Sequence, residues 1–393
     1  MPMVPRCGRS CRSQAVDDPG VTHTPTPRLR IERRIAPSRF ASALVPVVSV
    51  LMALIFGGFV LLLSGEDPIA VYRAMLDGAF GSENGIAETL VKTIPLLLAG
   101  LGVGIAFRMQ LWNIGAEGQL YLGAIAGSGL ALFVLPDAPA LVLVPAMVAA
   151  GFAGGAVWGL IPGMLRAFLG VNEVITSLLL NYVAFLFSDY LVYGRWRDPA
   201  GFGFPGTAPL PEAAWLPRWG TTRVHLGLAF GLAAAAILWV VLRRTRWGYE
   251  IAVTGENERA ARYAGMPTVR NILLVMAVSG GLAGIAGIGE VAGLGHQLQR
   301  NLSPGYGYTA IIVAWLGRLN PVGIVLVAFL LAGLLVGGDQ LQMSMGLPAA
   351  IAPMLQGTIL FFLLGGEALT RYRLVRVRRP AVAAPPRPVG EVG

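Results

Sequence analysis

The chain has 393 residues, of which 55% are hydrophobic and only 13% charged, with a mean hydropathy of +0.66. Its repeated apolar runs of span length exclude a soluble globular domain and define an all-α polytopic membrane protein. The net charge of +9 does not point to nucleic acid, because its sources lie at the two ends and in one central island, where they can face anionic lipid headgroups.

Residues 1–40 are polar and Arg-rich, contain Pro25, Pro27 and Pro37, and lack a periodic apolar face, so a disordered cytoplasmic tail is expected. Cys7 and Cys11, the only cysteines, sit in that tail away from any His cluster and suggest neither a disulfide nor a metal site. The run 41–63 is too long for a signal-peptide core and has no small-residue cleavage site; it should remain as a span. Further spans are expected at 92–107, 111–135, 141–161, 174–193, 224–242, 272–291, 307–316, 322–338 and 350–365, about ten crossings within a 41–370 permease domain. Two of these are suspect on length, since 92–107 contains Pro95 and 307–316 covers about half a bilayer at 1.5 Å per residue. Broken or partial helices of this kind suit a substrate pathway. The 52 glycines and 27 prolines fit closely packed spanning helices.

Charge sets the orientation. With both ends inside, 23 of the 30 Lys and Arg residues fall in cytoplasmic segments. The external side then includes 194–223, a Pro- and Trp-rich loop long enough for a small cap. The Arg- and Pro-rich finish, 371–393, is a second cytoplasmic tail.

The polar island 243–271 is also cytoplasmic in this scheme. Within it Asn257 is a helix N-cap, Glu258 complements the positive helix end, and Gly265 followed by Pro267 supplies the stop. The resulting helix, 258–264, is about 10 Å long. It is too short to stand alone and too polar to enter the bilayer, so a partner outside the membrane should hold it. Ala260, Ala261 and Ala264 permit close approach to that partner.

Several chemistries have no residues to carry them. A P-loop needs Gly-Lys-Ser/Thr to cradle phosphates, but Lys92, the only lysine, follows Val91. His23, His225 and His296 have no metal-site spacing, so no metal is expected. The sequence Ala277, Val278, Ser279, Gly280 lacks the first glycine of a Gly-x-Ser-Gly nucleophile motif. No catalytic residue is assigned. Polar residues do recur in the spans: Asn113, Glu117 and Tyr121 at four-residue spacing, with Gln119, Asn181, Asp189 and Glu290. Such groups mark either a translocation path or structural pairs. Gly280, Gly284 and Gly287, like Gly100, Gly102 and Gly104, fit close helix packing.

Four strings carry a resemblance: LWNIGAEGQ at 111–119; GVNEVI at 170–175 with LNY at 180–182; GEN at 255–257 with AARYAG at 260–265; and GYGYTAI at 305–311 with LGRLNP at 316–321. Together, in this order, they resemble the inner-membrane permease subunits of bacterial ABC importers. The similarity is greatest to the branch serving basic-membrane-protein-type nucleoside receptors, within the ribose and simple-sugar permease family, and it covers about 45–370. It implies a vitamin-importer-like helical fold for a permease subunit without its own ATPase site, a second permease subunit in a heterodimer, and an ABC ATP-binding subunit that carries ATP and Mg. It also implies an extracytoplasmic solute-binding lipoprotein or protein. No cofactor would be bound by this chain. Gly255, Glu256, Asn257, Ala260, Ala261, Tyr263 and Gly265 would then form the coupling element. A neutral solute is expected because Arg108, Arg166 and Arg318 all map to cytoplasmic ends; residue types alone do not separate nucleosides from sugars, and the resemblance implies nucleosides first and simple sugars second. An ion-coupled secondary transporter using Glu117 and Glu290 is the alternative from another class. A membrane transferase would need an Asp-rich metal motif, which is absent.

Overall fold

Helix α3 (Glu83–Arg108) is the centre of the molecule, buried on nearly every side along its length. The computed structural model describes residues 28–33, 39–201, 203–348 and 350–377; Cys7, Cys11, His23 and the rest of both expected tails lie outside these described residues. The Ser82 hydroxyl starts α3 by accepting from the Gly85 N–H at 3.0 Å, and Glu83 and Arg108 suit the two ends of its dipole. The helix continues through Pro95, so the expected span beginning at Lys92 was too short. Its polar first turns are tolerated because they pair sideways: Lys92 with Asp339, and Glu88 with Arg223 at 3.0 Å.

Around α3 the chain orders as α1 (Arg39–Leu63), α2 (Pro68–Phe80), α4 (Ala116–Gly129), α5 (Ala140–Leu169), α6 (Glu173–Tyr193) and α7 (Gly227–Arg244). There follow α8 (Arg246–Glu256), α9 (Glu258–Tyr263), α10 (Thr268–Glu290), α11 (Tyr306–Leu316), α12 (Pro321–Met345) and α13 (Ile351–Arg371). Single π-helical turns extend α4 and α10, over Leu130–Val134 and Val291–Gly295. Among the described residues, seven helices have the length and composition to cross a membrane: α1, α3, α5, α6, α7, α10 and α12. The expectation of ten full crossings is therefore supported only to seven. Helix α4 starts at Ala116 rather than 111, because residues 109–115 fold as irregular backbone with Gln110 at φ 60°. Helix α11 has 11 residues, about 16 Å. Helix α2, capped by Asp67 with Pro68 in its first turn, lies between the expected spans 41–63 and 92–107.

Strand β1 (Arg28–Arg33) pairs antiparallel with β2 (Tyr372–Val377), in register from Arg28 opposite Val377 to Arg33 opposite Tyr372. Part of the 1–40 segment expected to be disordered is thus paired with the start of the C-terminal tail, which satisfies one edge of each strand.

Glycines bring α10 close against α5 and α4. A Cβ at Gly284 would overlap the Gly151 carbonyl oxygen, one at Gly280 the Gly155 carbonyl, and one at Gly287 the Leu120 carbonyl of α4. The glycine stripe is a packing device, as its spacing suggested. The segment 194–226 is a folded cap pinned to the end of α10: Thr207, Leu210 and Leu216 donate backbone N–H groups to Leu298, His296 and Ala292 carbonyls at 3.0, 2.7 and 3.0 Å.

Candidate transport path and coupling face

The irregular stretch 109–115 turns back into the protein, and its backbone is held by a polar network. Asn113 Oδ1 accepts from the Gly115 N–H at 3.0 Å, and its amide donates to Ser279 Oγ at 2.8 Å and to Gln119 Oε1 at 2.9 Å. Gln119 returns the bond to Asn113 Oδ1 at 3.0 Å. Asn181 Oδ1 accepts from the Gly118 N–H at 2.9 Å, and its Nδ2 donates to the Ile114 carbonyl and the Tyr308 hydroxyl at 2.9 and 3.1 Å. Non-helical backbone at membrane depth survives where protein groups replace water, and these amides are those groups.

Asn113 therefore does not share a helical face with Glu117 and Tyr121; it precedes the helix. Asn113, Gln119 and Asn181 are each at most 1% exposed and are occupied by internal hydrogen bonds, Asn113 and Gln119 with each other and Asn181 with Gly118, Ile114 and Tyr308, so they do not line an open surface. Glu117 accepts from the Gly307 N–H at 2.6 Å, in the first turn of α11. A carboxylate at a helix N-terminus satisfies unpaired donors and complements the dipole. It serves as the acceptor for a helix that begins inside the protein. Tyr121 packs edge-on against Phe185, ring centroids 4.9 Å apart, and its hydroxyl accepts from the Ser303 N–H at 3.5 Å. Glu290 is buried at the end of α10 and forms no ion pair with any described residue. Asp189 pairs with Arg300 at 3.7 Å, a structural role. Ser177, Ser279, Ser303 and Tyr308 were missed as network members; a single hydroxyl in an apolar run gives no signal of its partner.

An open aromatic face does exist. Tyr182 and Tyr308 are 58% and 36% exposed, Tyr182 lies edge-on to Phe185 with centroids 6.3 Å apart, and Asn181 ties α6 to Tyr308 beneath them.

At one end of the molecule the coupling candidates form α8 and α9. Asn257 Oδ1 accepts from the N–H groups of Arg259 and Ala260 at 3.0 and 3.1 Å, the N-cap its position suggested. Gly265 follows at φ 75°, a conformation open to glycine at no steric cost. Gly255 and Glu256 belong to α8, a second short helix that the sequence reading did not foresee. Gly255 lets α8 rest on the Arg108 carbonyl, which an added Cβ would overlap. The alanines divide: Ala261 is fully buried within the chain, while Ala260, Tyr263 and Ala264 face solvent, Tyr263 at 97% exposure. Arg166 at the end of α5 lies 3.7 Å from Glu258 of α9 and 3.5 Å from Glu173 at the start of α6. Glu173 Oε1 in turn accepts from the Trp112 N–H at 3.4 Å. A chain of contacts thus runs from α9 to the polar network.

At the opposite end, the cap holds a second cluster that the sequence left scattered. The His296 ring stacks on Trp215 with centroids 4.0 Å apart, and its Nε2 lies 2.8 Å from Arg218. His225 is wholly buried, with Nδ1 accepting from the Gly227 N–H at 3.2 Å. Burial, with Arg218 and His296 adding repulsion, pushes His225 down to about 4 from 6.5. The unfolded ring protonates near pH 6.5 and the folded ring resists, so stability is full above pH 6.5 and declines as pH falls toward 4. The slope is about 1.4 kcal/mol per pH unit. Thermal unfolding in detergent should therefore show a lower midpoint at pH 5 than at pH 7.5, and His225→Asn, which keeps an acceptor for Gly227, should flatten that difference. An unchanged pH difference in the variant would remove His225 from the account.

Seven long apolar helices, a partial helix started by an internal carboxylate and a pair of short polar helices define a multi-pass membrane protein. Residues 85–364 match the family described as branched-chain amino acid transport system / permease component, and the chain belongs to that family. It is similar to a glucose ABC transporter permease, TsgB13, of Haloferax volcanii: 38% identical, covering 88% of this chain and 94% of that protein. It is also similar to the guanosine ABC transporter permease NupP of Bacillus subtilis, at 33% identity over 84% of this chain and 95% of that one. The nucleoside ABC transporter permease NupB of Lactococcus lactis is 32% identical over 81% and 90%.

Proposed function

We propose that this chain is a permease subunit of an ATP-driven importer and forms the path for nucleosides. The observation that carries the substrate is the exposed aromatic face of Tyr182 and Tyr308 beside Phe185, which suits stacking on a base. The guanosine and nucleoside permeases among its relatives support the same substrate. Simple sugars are the second reading, favoured by 38% identity to the glucose permease. The path lies along α6 and α11 with Tyr121 and Glu290 near it, while Asn113, Glu117, Gln119 and Asn181 position its backbone. A second, different permease chain covers this face, an ABC ATP-binding subunit with its ATP and Mg docks on α9, and a solute-binding lipoprotein or protein delivers substrate to the cap. This chain binds no cofactor and no metal.

Closure of the ATP-binding subunits would press on α9, and the Glu258, Arg166 and Glu173 contacts would carry the displacement to α6 and the 109–115 stretch. The membrane is the bacterial cytoplasmic membrane with both termini inside, a reading supported by the 23 of 30 cations on that side and by β1 pairing with β2.

Labelled guanosine or adenosine should enter cells only when this chain and ATP are both present. Loss of ribose or glucose uptake on deletion, with nucleoside uptake intact, selects the sugar reading. For orientation, Cys7 and Cys11 are replaced by serine and single cysteines placed at Glu256 and Trp219, both exposed. They should react with an impermeant thiol reagent from opposite faces, and reaction of both from one face would end the proposed orientation.

A further inference from the structure

Three arginines surround one cavity at the end of the molecule that carries α8 and α9. Arg108 closes α3, Arg243 lies in the last turn of α7, and Arg318 sits in the turn between α11 and α12. With Trp239, Asn320 and Pro321 they line a space of about 340 Å³. No carboxylate lines it, and among the described residues none of the three makes an ion pair within 4 Å. Arg243 lies over the Trp239 ring, 5.3 Å from its centroid, which holds one guanidinium in place. The start of α12, where the Asn320 side chain caps the Val322 N–H at 3.3 Å, adds the positive end of a helix dipole. Arg318 and Leu319 both adopt left-handed backbone, φ 57° and 55°. Three like charges gathered without a counter-ion repel one another, and an anion would relieve that repulsion.

We infer that this cavity binds the phosphate group of an anionic membrane phospholipid. The lipid source follows from the two helices that frame it. Within two turns of the cavity the exposed side chains of both helices are apolar: Ile237 and Val240 on α7, Val322 and Leu326 on α12. They offer acyl chains a surface leading away from the arginines, and a tryptophan at the boundary is the usual interfacial residue. Free phosphate would use the arginines and ignore that surface. The bound headgroup would tie α3, α7 and α12 together next to α8, which rests on the Arg108 carbonyl, so lipid charge would bear on coupling whatever solute is carried. The inference is independent of the nucleoside reading.

The test is native mass spectrometry of the assembled transporter in detergent with phosphatidylglycerol or phosphatidylcholine, comparing wild type, the double variant R243Q/R318Q, and R73Q. Arg73 is exposed on α2, away from the cavity, and controls for lost charge. Wild type and R73Q should retain phosphatidylglycerol in preference to phosphatidylcholine, and the double variant should bind it roughly 30-fold more weakly. Intrinsic fluorescence of the variant, to which all eight tryptophans contribute, checks that it is folded. Equal retention by the double variant, or no preference over phosphatidylcholine, overturns the inference. Displacement of the lipid by excess inorganic phosphate would reassign the site to a free anion. Binding in the isolated chain that vanishes in the assembled transporter would reassign the arginines to a subunit contact.

Discussion

Replacing Ala260 with tryptophan should abolish ATP-driven uptake and leave the amount of folded permease in the membrane unchanged, whereas the same change at Ala261 should remove folded protein. The two residues are adjacent, but α9 turns them to opposite sides: Ala261 into its own chain, Ala260 outward beside Tyr263. Inserting a large ring at Ala261 overpacks a filled site, at about 1–3 kcal/mol or more. At Ala260 the ring has room in this chain and obstructs only what docks there. Co-purification of the ATP-binding subunit should fall at least about tenfold, the effect of 1.4 kcal/mol at an interface. Normal transport by the Ala260 variant would make α9 a mere connector.

Gly284→Leu should prevent the fold from forming. Its added atoms would meet the Gly151 carbonyl and the Gly155 Cα, which are backbone and cannot swing aside. Separating α10 from α5 costs about 3 kcal/mol or more, beyond the usual overpacking range for a flexible neighbour. Gly357→Leu, in α13, meets nothing within 4 Å and should fold at least as well as wild type, since leucine is the better helix former. Size-exclusion profiles of the two variants in detergent decide the matter, and a monodisperse Gly284→Leu protein would refute the account of this interface.

Local features were legible in the sequence. Asn257, Glu258 and Gly265 specify a short capped helix within a few residues, and the structure has it. The start of α6 at Glu173 and the brevity of α11 could be read in the same way. What escaped depended on partners far along the chain. Lys92 looked like a span boundary until Asp339, from another helix, accounted for its charge inside one. Asn113 fell on the four-residue spacing of Glu117 and Tyr121, yet Ser279 and Gln119 draw its backbone out of the helix. The spacing of Ala260 and Ala261 showed that both are small, but which one faces outward is set by how α9 leans on its neighbours. The candidate path residues split for this reason: the most polar ones were the ones most needed for internal hydrogen bonds.

Helix α5 has 30 residues, about 45 Å of helix, against a hydrocarbon core of about 30 Å. It cannot stand upright without overhanging, so it tilts or projects. Its lean is not its own, because the glycine contacts fix α10 to it, and its projecting end holds Arg166 against Glu258. Bilayer thickness would thereby enter the geometry of the proposed coupling face: a thinner membrane should change the angle of the α5 and α10 pair, and with it the reach of Arg166.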